Sequence, residues 1–376
     1  MKLSVLLSVA LAICYNSLAN LPDLKEGTSL KVSGKVIDQS TNQPLAFANI
    51  IYNHTGTTTN LDGEFVFQVN YHAAENLMLV KYIGYETAAI QLNEDNTNLT
   101  IALNLKSEML DEVVVITADQ VLRDVNNYLQ INYEFSDQLL SSYYKETVST
   151  NKECIYLAEG IFDIYYPTVY SKEKASIHAR KTRKKTFASL DTLFMPLIHG
   201  HATDMINGVT RRTDSFIKMD KLANYTFSKQ GLTWYDGKEV FQISFEPKNK
   251  KADCRGSLYI DVESKAVIRA EYEPLLEGQA FWNKVKWTEE YKEVDNSWYI
   301  HRVSYVGEWN QNGEPITFEA LLVVTDFESI KTKPQLSEAL TQDDIFFNQA
   351  STFTENFWED FNYIKLSAKE KQALGY

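Results

Sequence analysis

Two short histidine motifs contain the residues of this sequence that could hold a metal ion. His72 and Glu75 have the His-x-x-Glu spacing of a zinc-ligand pair, and His199 or His201 could supply a third ligand. Catalytic zinc takes three protein ligands and keeps a fourth position open, so such a set would predict metal-assisted hydrolysis. However, His72 and Glu75 fall in a connection between predicted strands, which favours solvated loop residues.

The second motif, His199-Gly200-His201 with Asp204, has the form His-x-His-x-x-Asp. Binuclear zinc hydrolases would need a further histidine directly after an aspartate, and the sequence has none there. A histidine pair in a loop, with or without adventitious metal, is the expectation. We therefore predict no resident cofactor and no metal site.

Other catalytic arrangements are also incomplete. The sequence has no Gly-x-Ser-x-Gly elbow, and neither exported cysteine has a neighbouring histidine. Glu289 and Glu290 are adjacent on a predicted strand, where neighbours face opposite sides, so they cannot share a proton as a dyad. The sequence therefore predicts a protein that is not an enzyme.

The first residues predict export. Lys2 is followed by an apolar stretch and then by small residues, which is typical of a signal peptide over residues 1–19 with cleavage after Ala19. A lipoprotein signal at Cys14 is the alternative, but Ile13 occupies a position that normally needs a small side chain. We expect a water-soluble protein in the periplasm, or associated with the outer membrane, of a Gram-negative bacterium.

The charge balance excludes one class of partner. The formal net charge is -13, and nucleic-acid binding usually requires a basic face. The basic cluster at 179–186 is typical of a solvated strand face; the alternative is that it binds an anionic lipid or glycan surface.

Cys154 and Cys254 remain after export, and either a disulfide between them or two buried thiols fits their compartment.

The hydrophobic pattern predicts a mainly β chain in several units. Short alternating strands between residues 30 and 116 predict a small sandwich. In it, NLDG at 60–63 is a turn that leads into a strand with Phe65, Phe67 and Val69 on one face. Apolar Val66 indicates that the other face is also partly covered.

The period of the pattern changes after the sandwich. Residues 117–134 have helical spacing and predict a linking helix. Alternation then returns and predicts a large antiparallel sheet domain over 135–333, interrupted between 189 and 220 by an apolar segment that would lie against the sheet. Residues 334–376 predict a helical C-terminal tail with a capping box at 367–370.

The first unit resembles a known family. The segments GKVIDQSTNQPLAFANIIYNHTGTTTNLDGEFVFQV, LVKYIGYETAAIQL and MLDEVVVI are similar, in order and spacing, to the carboxypeptidase regulatory-like domain. The resemblance implies an immunoglobulin-like or transthyretin-like β-sandwich that accompanies other domains in bacterial envelope proteins. Such a sandwich is an accessory or binding module, so a zinc carboxypeptidase is only a remote alternative.

The remainder resembles the region that follows this domain in a group of uncharacterised Gram-negative proteins. Its central hairpin is also similar to the curved half-barrel of periplasmic lipoprotein carriers. We therefore expect a non-enzymatic binding protein whose partner is an envelope protein, a glycan or a lipid. The alternative is a carrier of lipids or lipoproteins, with LFMPLI at 193–198 as its lid. Tyr85, the edge of the DEVVV strand and the aromatic face near Trp234, Trp282 and Trp287 are the surfaces predicted to bind.

Overall fold

The computed structural model describes residues 26–374 except 94–95, 107–115, 134–135, 151–153, 169–170, 172, 188–200, 277–280, 312 and 353–362. The described chain is mainly β, with two small sheets near its N-terminus and one large sheet after them. The predicted fold class is therefore confirmed. The predicted signal peptide and the DEVVV strand lie outside the described residues.

The two small sheets form the N-terminal sandwich. One sheet has the order β4-β1-β7, with β7 parallel to β1, and the other has the order β3-β2-β5-β6. Apolar side chains from both sheets share one buried core. The strands are β1 (Ser29–Asp38), β2 (Asn49–Tyr52), β3 (Thr55–Thr58), β4 (Glu64–Asn70), β5 (Leu77–Lys81), β6 (Ala88–Gln91) and β7 (Leu99–Leu103).

The NLDG turn has the predicted form. The Asn60 side chain accepts hydrogen bonds from two backbone amides of the turn. Gly63 has φ +75°, and a Cβ there would lie 2.6 Å from the Val36 carbonyl oxygen, so no other residue fits. Phe65 is fully buried and Val66 is also buried, which confirms that both faces of β4 are covered.

The large sheet is entirely antiparallel and is not closed into a barrel. Its order is β10-β9-β8-β17-β16-β15-β14-β13-β12-β11, so β10 and β11 are the edges among the described strands. Most neighbours follow each other along the chain, whereas β8 pairs with the last strand, β17. The strands are β8 (Gln138–Thr150), β9 (Cys154–Tyr166), β10 (Ser176–Thr186), β11 (Tyr225–Tyr235), β12 (Lys238–Pro247), β13 (Cys254–Asp261), β14 (Val267–Pro274), β15 (Lys284–Val294), β16 (Ser297–Gln311) and β17 (Glu314–Ser329).

One side of this sheet, here called the helical face, is covered by the linking helix and by the segment after β10. Helix α1 (Ala118–Asn132) begins at Thr117, whose hydroxyl accepts from the Gln120 amide. Its apolar side and the apolar residues of 205–217 join the main hydrophobic core of the sheet. Part of the predicted apolar cover, 188–200 with the LFMPLI segment, lies outside the described residues.

The remaining helices are short: α2 (His201–Asp204), α3 (Phe346–Gln349) and α4 (Ala368–Leu374). In the described part of the chain, no helix has the length and apolarity needed to cross a bilayer.

The C-terminal tail contains the short helices α3 and α4, and residues 353–362 of the predicted helical tail lie outside the described residues. Ala339 and Thr352 form bridges to β10, so part of the tail backbone bonds to the edge of the sheet. The capping box is confirmed, because Ser367 and Glu370 exchange hydrogen bonds between each side chain and the other's backbone amide.

The opposite side of the sheet, here called the sandwich face, holds the N-terminal sandwich. Strand β3 packs on β17, and the Lys81 ammonium lies 2.5 Å from the Asp236 carboxylate. The Gly84 amide donates to the Trp234 carbonyl at 2.7 Å. The sandwich is therefore attached to the sheet through polar contacts from several of its loops.

Candidate ligand-binding cleft

A cleft opens on the helical face of the large sheet. It lies between α1, residues 171–177 and residues 203–214, and residues 340–342 of the tail border it. Tyr272 and Trp287, from β14 and β15, contribute the sheet surface of this cleft. Its volume of about 1550 Å³ exceeds the roughly 300–1,000 Å³ of common small-molecule pockets. A ligand the size of a lipid or a short peptide therefore fits.

A buried carboxylate beside this cleft holds its cover in place. Glu289 accepts hydrogen bonds from the Val209 amide at 2.8 Å, the Tyr272 hydroxyl at 2.8 Å and the Tyr291 hydroxyl at 2.7 Å. Burial raises the pKa of Glu289, against the effect of these hydrogen bonds and of the Arg212 charge. The turn that begins at residue 208 is therefore anchored to the sheet by Glu289, and Thr210 also donates to the Tyr291 hydroxyl from its amide and its side chain.

Glu290, the next residue, points to the other side of the sheet, as predicted. It lies 2.7 Å from Arg302 and 3.0 Å from Arg269. Burial opposes its ionisation, but the two arginines outweigh burial and lower the pKa of Glu290 to about 2. Glu289 and Glu290 therefore do not form a carboxylate dyad.

Two cationic side chains of the same cover line the cleft without forming an ion pair to a described residue. The Arg212 guanidinium lies 5.6 Å from the centre of the Tyr272 ring, and its buried Nε has no hydrogen-bond partner. The Lys218 ammonium donates to the Thr210 carbonyl at 2.8 Å, and burial lowers the pKa of Lys218. Both cations are therefore partly desolvated, and the charges of Glu289 and Asp214 act on Arg212 without a direct ion pair.

The cleft also contains acidic groups, which are exposed at its rim. Glu173 pairs with Lys333 at 3.0 Å, and Asp204 accepts from the Gln342 amide at 3.2 Å. Asp214 is exposed. Negative charge therefore lies at the entrance, and the buried part of the lining is cationic and aromatic.

An aromatic row leads from the cleft along the sheet. Tyr272 stacks on Trp287 with centroids 6.2 Å apart, and Trp287 meets Tyr305 edge to face at 4.8 Å. The row continues through Trp282, 5.7 Å from Tyr305, to Phe281 at 5.0 Å. Phe281 is 58% exposed, so the row connects the cleft with the surface.

The histidines predicted as low-ranking zinc ligands are not brought together. His72 lies in the sandwich, where its Nδ1 is 2.6 Å from Glu26 Oε1. His201 begins α2, on the helical face of the large sheet, and His199 lies outside the described residues. Glu75 is in the 3-10 turn that follows His72. Among the described residues, no group of three or more histidine, cysteine or acidic side chains is arranged for a metal ion.

The disulfide alternative is corrected by the structure. Cys154 and Cys254 are both free and buried, and β8, β17, β16, β15 and β14 separate their strands. With roughly 4.8 Å between neighbouring strands, their separation is several times the ~7 Å that a disulfide can span. Burial raises the pKa of both thiols to about 12, so the interpretation as buried thiols holds.

The aromatic face predicted near three tryptophans is divided by the sheet. Trp282 and Trp287 belong to the aromatic row, whereas Trp234 lies beside the sandwich with the Lys106 ammonium 4.5 Å from its ring. Tyr85 also has a structural role, because its hydroxyl donates to Asp38 at 2.7 Å.

Sequence reasoning missed Arg212 and Lys218, which lie in a segment without a regular period.

The basic cluster at 179–186 lies on β10 and is largely neutralised within the chain. Arg180 pairs with Asp163, and the buried Arg183 lies 2.7 Å from Glu159. The Lys184 ammonium donates to the Phe347 carbonyl at 2.8 Å. These contacts favour the interpretation as a strand face over a patch that binds anionic lipid.

The sandwich face buries two further basic groups. Lys292 donates to the His54 carbonyl at 3.3 Å, and burial followed by the nearby Lys81 charge lowers the pKa of Lys292 to about 7. His301 lies beside Gly56 of β3, and neither of its ring nitrogens has a hydrogen-bond partner. Burial and the Lys292 charge lower the pKa of His301 to about 3.

A comparison with protein-family models identifies the N-terminal unit. Residues 32–115 match the CarboxypepD_reg-like domain, so this chain contains a carboxypeptidase regulatory-like domain, as its sequence predicted. The match covers the sandwich and not the large sheet. A search of curated proteins found no match.

Several solved structures match a little more than half of this chain at low similarity. A domain described as an outer membrane lipoprotein-sorting protein from Vibrio parahaemolyticus is 11% identical, with a TM-score of 0.28 over 58% of this chain and 95% of that chain. A DUF1329 family protein from Desulfovibrio piger is 9% identical, with the same TM-score and the same coverage. A chain of the Pseudomonas aeruginosa MucA/MucB complex is 7% identical, with a TM-score of 0.20 over 57% of this chain and 99% of that chain. TM-scores this low carry no functional information.

Proposed function

We propose that this chain is an exported, non-enzymatic binding protein of a Gram-negative envelope. The cleft on the helical face binds the ligand, and the carboxypeptidase regulatory-like domain positions the large sheet domain relative to a partner in the envelope. The partner is an envelope protein, a glycan or a lipid. Export rests on the signal peptide predicted for residues 1–19.

The cleft is the observation that carries this proposal. Its cover is anchored by the hydrogen bond from Val209 to the buried Glu289 carboxylate, and its lining combines aromatic rings with polar groups. Large concave sites with a few oriented polar groups are where proteins bind ligands. An anchored cover also reduces the ordering cost that a ligand would otherwise meet.

The position of the sandwich supports its part of the proposal. It lies on the sandwich face, so it leaves the entrance of the cleft open on the opposite side. Its contacts include the Lys81–Asp236 ion pair at 2.5 Å and a hydrogen bond from Asn49 to the Tyr235 hydroxyl at 3.2 Å. A module attached in this way can dock on a partner without blocking the ligand.

A carrier of lipids or lipoproteins is the second candidate, and the aromatic row favours it. The row joins the exposed Phe281 to Trp287 in the cleft through Trp282 and the buried Tyr305, so aromatic rings are in contact from the surface to the cleft. The sheet beneath α1 is packed with core side chains, so the described residues favour a ligand lying in the cleft over an acyl chain enclosed beneath the helix.

Binding of the fluorescent anion 8-anilinonaphthalene-1-sulfonate tests the proposed function. Asn127 on α1 is exposed and lines the cleft, whereas Arg123, one turn earlier, is exposed and does not. Asn127→Trp should place a bulky ring in the cleft and weaken the saturable fluorescence increase, and Arg123→Trp should leave it unchanged. Equal binding by both variants would contradict a ligand site in the cleft.

Transfer of a labelled phospholipid between vesicles separates the two candidates. A carrier should accelerate the transfer, and Phe281→Ser should slow it, since this change removes the exposed end of the aromatic row. A protein that binds ligand in the cleft but does not change the transfer rate would be a binding protein and not a carrier.

A further inference from the structure

We infer that the cleft is specific for amphipathic anions, with Arg212 and Lys218 binding a carboxylate or phosphate head and Tyr272 and Trp287 contacting the apolar part. This inference rests on the proposed function and names the class of ligand. It follows from the pairing state, burial and placement of these four side chains.

The charge of Arg212 is the first feature that supports this inference. Among the described residues it forms no ion pair, and its buried Nε lacks a hydrogen-bond partner. Guanidinium groups commonly bind carboxylates and phosphates through two parallel hydrogen bonds. Arg212 is partly exposed and lines the cleft, so a ligand anion can reach its guanidinium there.

Glu289 sets the position of this guanidinium without bonding to it. Its carboxylate already accepts from Val209, Tyr272 and Tyr291, so Arg212 feels its charge at a distance. The Val209 hydrogen bond fixes the turn that leads to Arg212, and the Tyr272 ring lies under the guanidinium. Such preorganisation favours an incoming anion over a flexible surface arginine.

Lys218 supplies the second positive charge. Its ammonium bonds to the Thr210 carbonyl, which uses one of three donors, and its side chain lines the same cleft as Arg212. Partial burial strengthens the attraction of both groups for an anion, because water screens less of the charge. The exposed acids at the rim repel any anion, so an anion without an apolar part should bind weakly and the apolar contact should retain an amphipathic one.

The apolar part of the ligand has an adjacent surface. Tyr272 and Trp287 stack with an interplanar angle of 8°, and Leu129, Ile206 and Leu340 also line the cleft. Aromatic rings bury a large area at low entropic cost. A head group on Arg212 would therefore direct an alkyl or aromatic body along these side chains.

Calorimetric titration of residues 20–376 with four probes tests the inference. Decanoate and decyl phosphate carry the two head groups, decyl maltoside carries the same chain without charge, and inorganic phosphate lacks the chain; all are used below their micellar concentrations. Both amphipathic anions should bind at one site, more tightly than the maltoside and more tightly than phosphate. Comparison of the two anions identifies the preferred head group.

Substitutions test whether Arg212 and Lys218 cause the preference for anions. Arg212→Gln should weaken binding of both anions by about tenfold or more and leave the maltoside unchanged, and Arg212→Lys should restore part of the loss. Lys218→Gln should weaken the anions to a smaller extent. Arg123→Gln is the matched control, because Arg123 is an exposed cation that does not line the cleft. Unfolding curves verify that each variant is folded.

The outcomes separate this inference from the proposed function. Equal affinity for decanoate and the maltoside, or equal effects of the Arg212 and Arg123 substitutions, would overturn the anion specificity while the binding function stands. If none of the four probes binds at millimolar concentration, both the anion specificity and the cleft as a ligand site are contradicted.

Discussion

The backbone amide of Val209 donates a hydrogen bond to the buried carboxylate of Glu289 at 2.8 Å. This bond attaches the cover of the cleft to the sheet that lines it. The same carboxylate accepts from Tyr272 and Tyr291, so one side chain organises both the cover and the sheet surface. The position of Arg212 depends on this attachment.

Glu289→Gln should destabilise the protein. The Val209 amide and both tyrosine hydroxyls donate to the carboxylate, so the NH₂ group of a glutamine must displace at least one of these hydrogen bonds. A buried donor without an acceptor costs about 1–3 kcal/mol, and urea unfolding at neutral pH would measure this loss. Glu239→Gln makes the same exchange at an exposed position of β12 and should change the unfolding free energy little. Equal stability of the two variants would contradict the anchoring role of Glu289.

Gly208→Ala should also destabilise the cover of the cleft. A Cβ at this position would lie against the Tyr291 hydroxyl and 2.9 Å from Glu289 Oε2. Overpacking of this kind typically costs about 1–3 kcal/mol, which thermal unfolding would detect. Adding Tyr291→Phe removes the clashing hydroxyl and should recover part of the loss. A Gly208→Ala protein as stable as the wild type would show that the turn at 208 is not tightly held.

Glu146 should make the protein less stable as the pH rises. Burial raises the pKa of Glu146 to about 7, although the Tyr144 hydroxyl donates to it. The unfolded carboxyl loses its proton near pH 4.5, so between these values the folded state binds the extra proton and stability falls with increasing pH.

Glu146→Gln should remove this dependence. The variant should be more stable than the wild type by about 3 kcal/mol at pH 8 and similar to it near pH 5. Urea unfolding at both pH values measures the difference. A difference that does not change with pH would mean that Glu146 titrates normally.

On the sandwich face, His301 should make the protein less stable as the pH falls. Burial and the Lys292 charge lower the pKa of His301 to about 3, whereas an unfolded histidine titrates near 6.5. Below that value the unfolded state binds the extra proton, so stability falls as the pH falls. The loss should reach about 2 kcal/mol at pH 5.

His301→Phe should remove this loss, so the variant should gain stability relative to the wild type between pH 7 and pH 5. His72→Phe, at an exposed position of the sandwich, is the control and should follow the wild type. Parallel pH profiles for the wild type and His301→Phe would contradict the burial of a neutral His301 between sandwich and sheet.

The sequence predicts which face of each strand is buried better than it predicts which strands pair with each other. Alternation identifies the buried side of β12, where Phe241, Ile243 and Phe245 are all buried. It does not indicate that β8 pairs with β17, because that pairing joins segments far apart in the chain. Nor does it show that the sandwich packs on β17, since those contacts form between two separately folded surfaces.

The cleft was only partly predictable. Trp287, Glu289 and Tyr291 alternate along β15, so an acid among aromatics on one face was a signal of a buried polar site. Arg212 and Lys218 gave no such signal, because they lie in a segment without regular spacing. Their proximity to β14 and β15 depends on how that segment folds over the sheet.

Native mass spectrometry of residues 20–376, purified gently from a bacterial envelope, tests the central claim most directly. The account predicts a co-purifying molecule on the wild type and on Arg123→Trp, and its loss from Asn127→Trp, because only Asn127 lines the cleft. A wild-type protein at its bare mass, or a molecule retained equally by Asn127→Trp, would contradict a ligand site in this cleft.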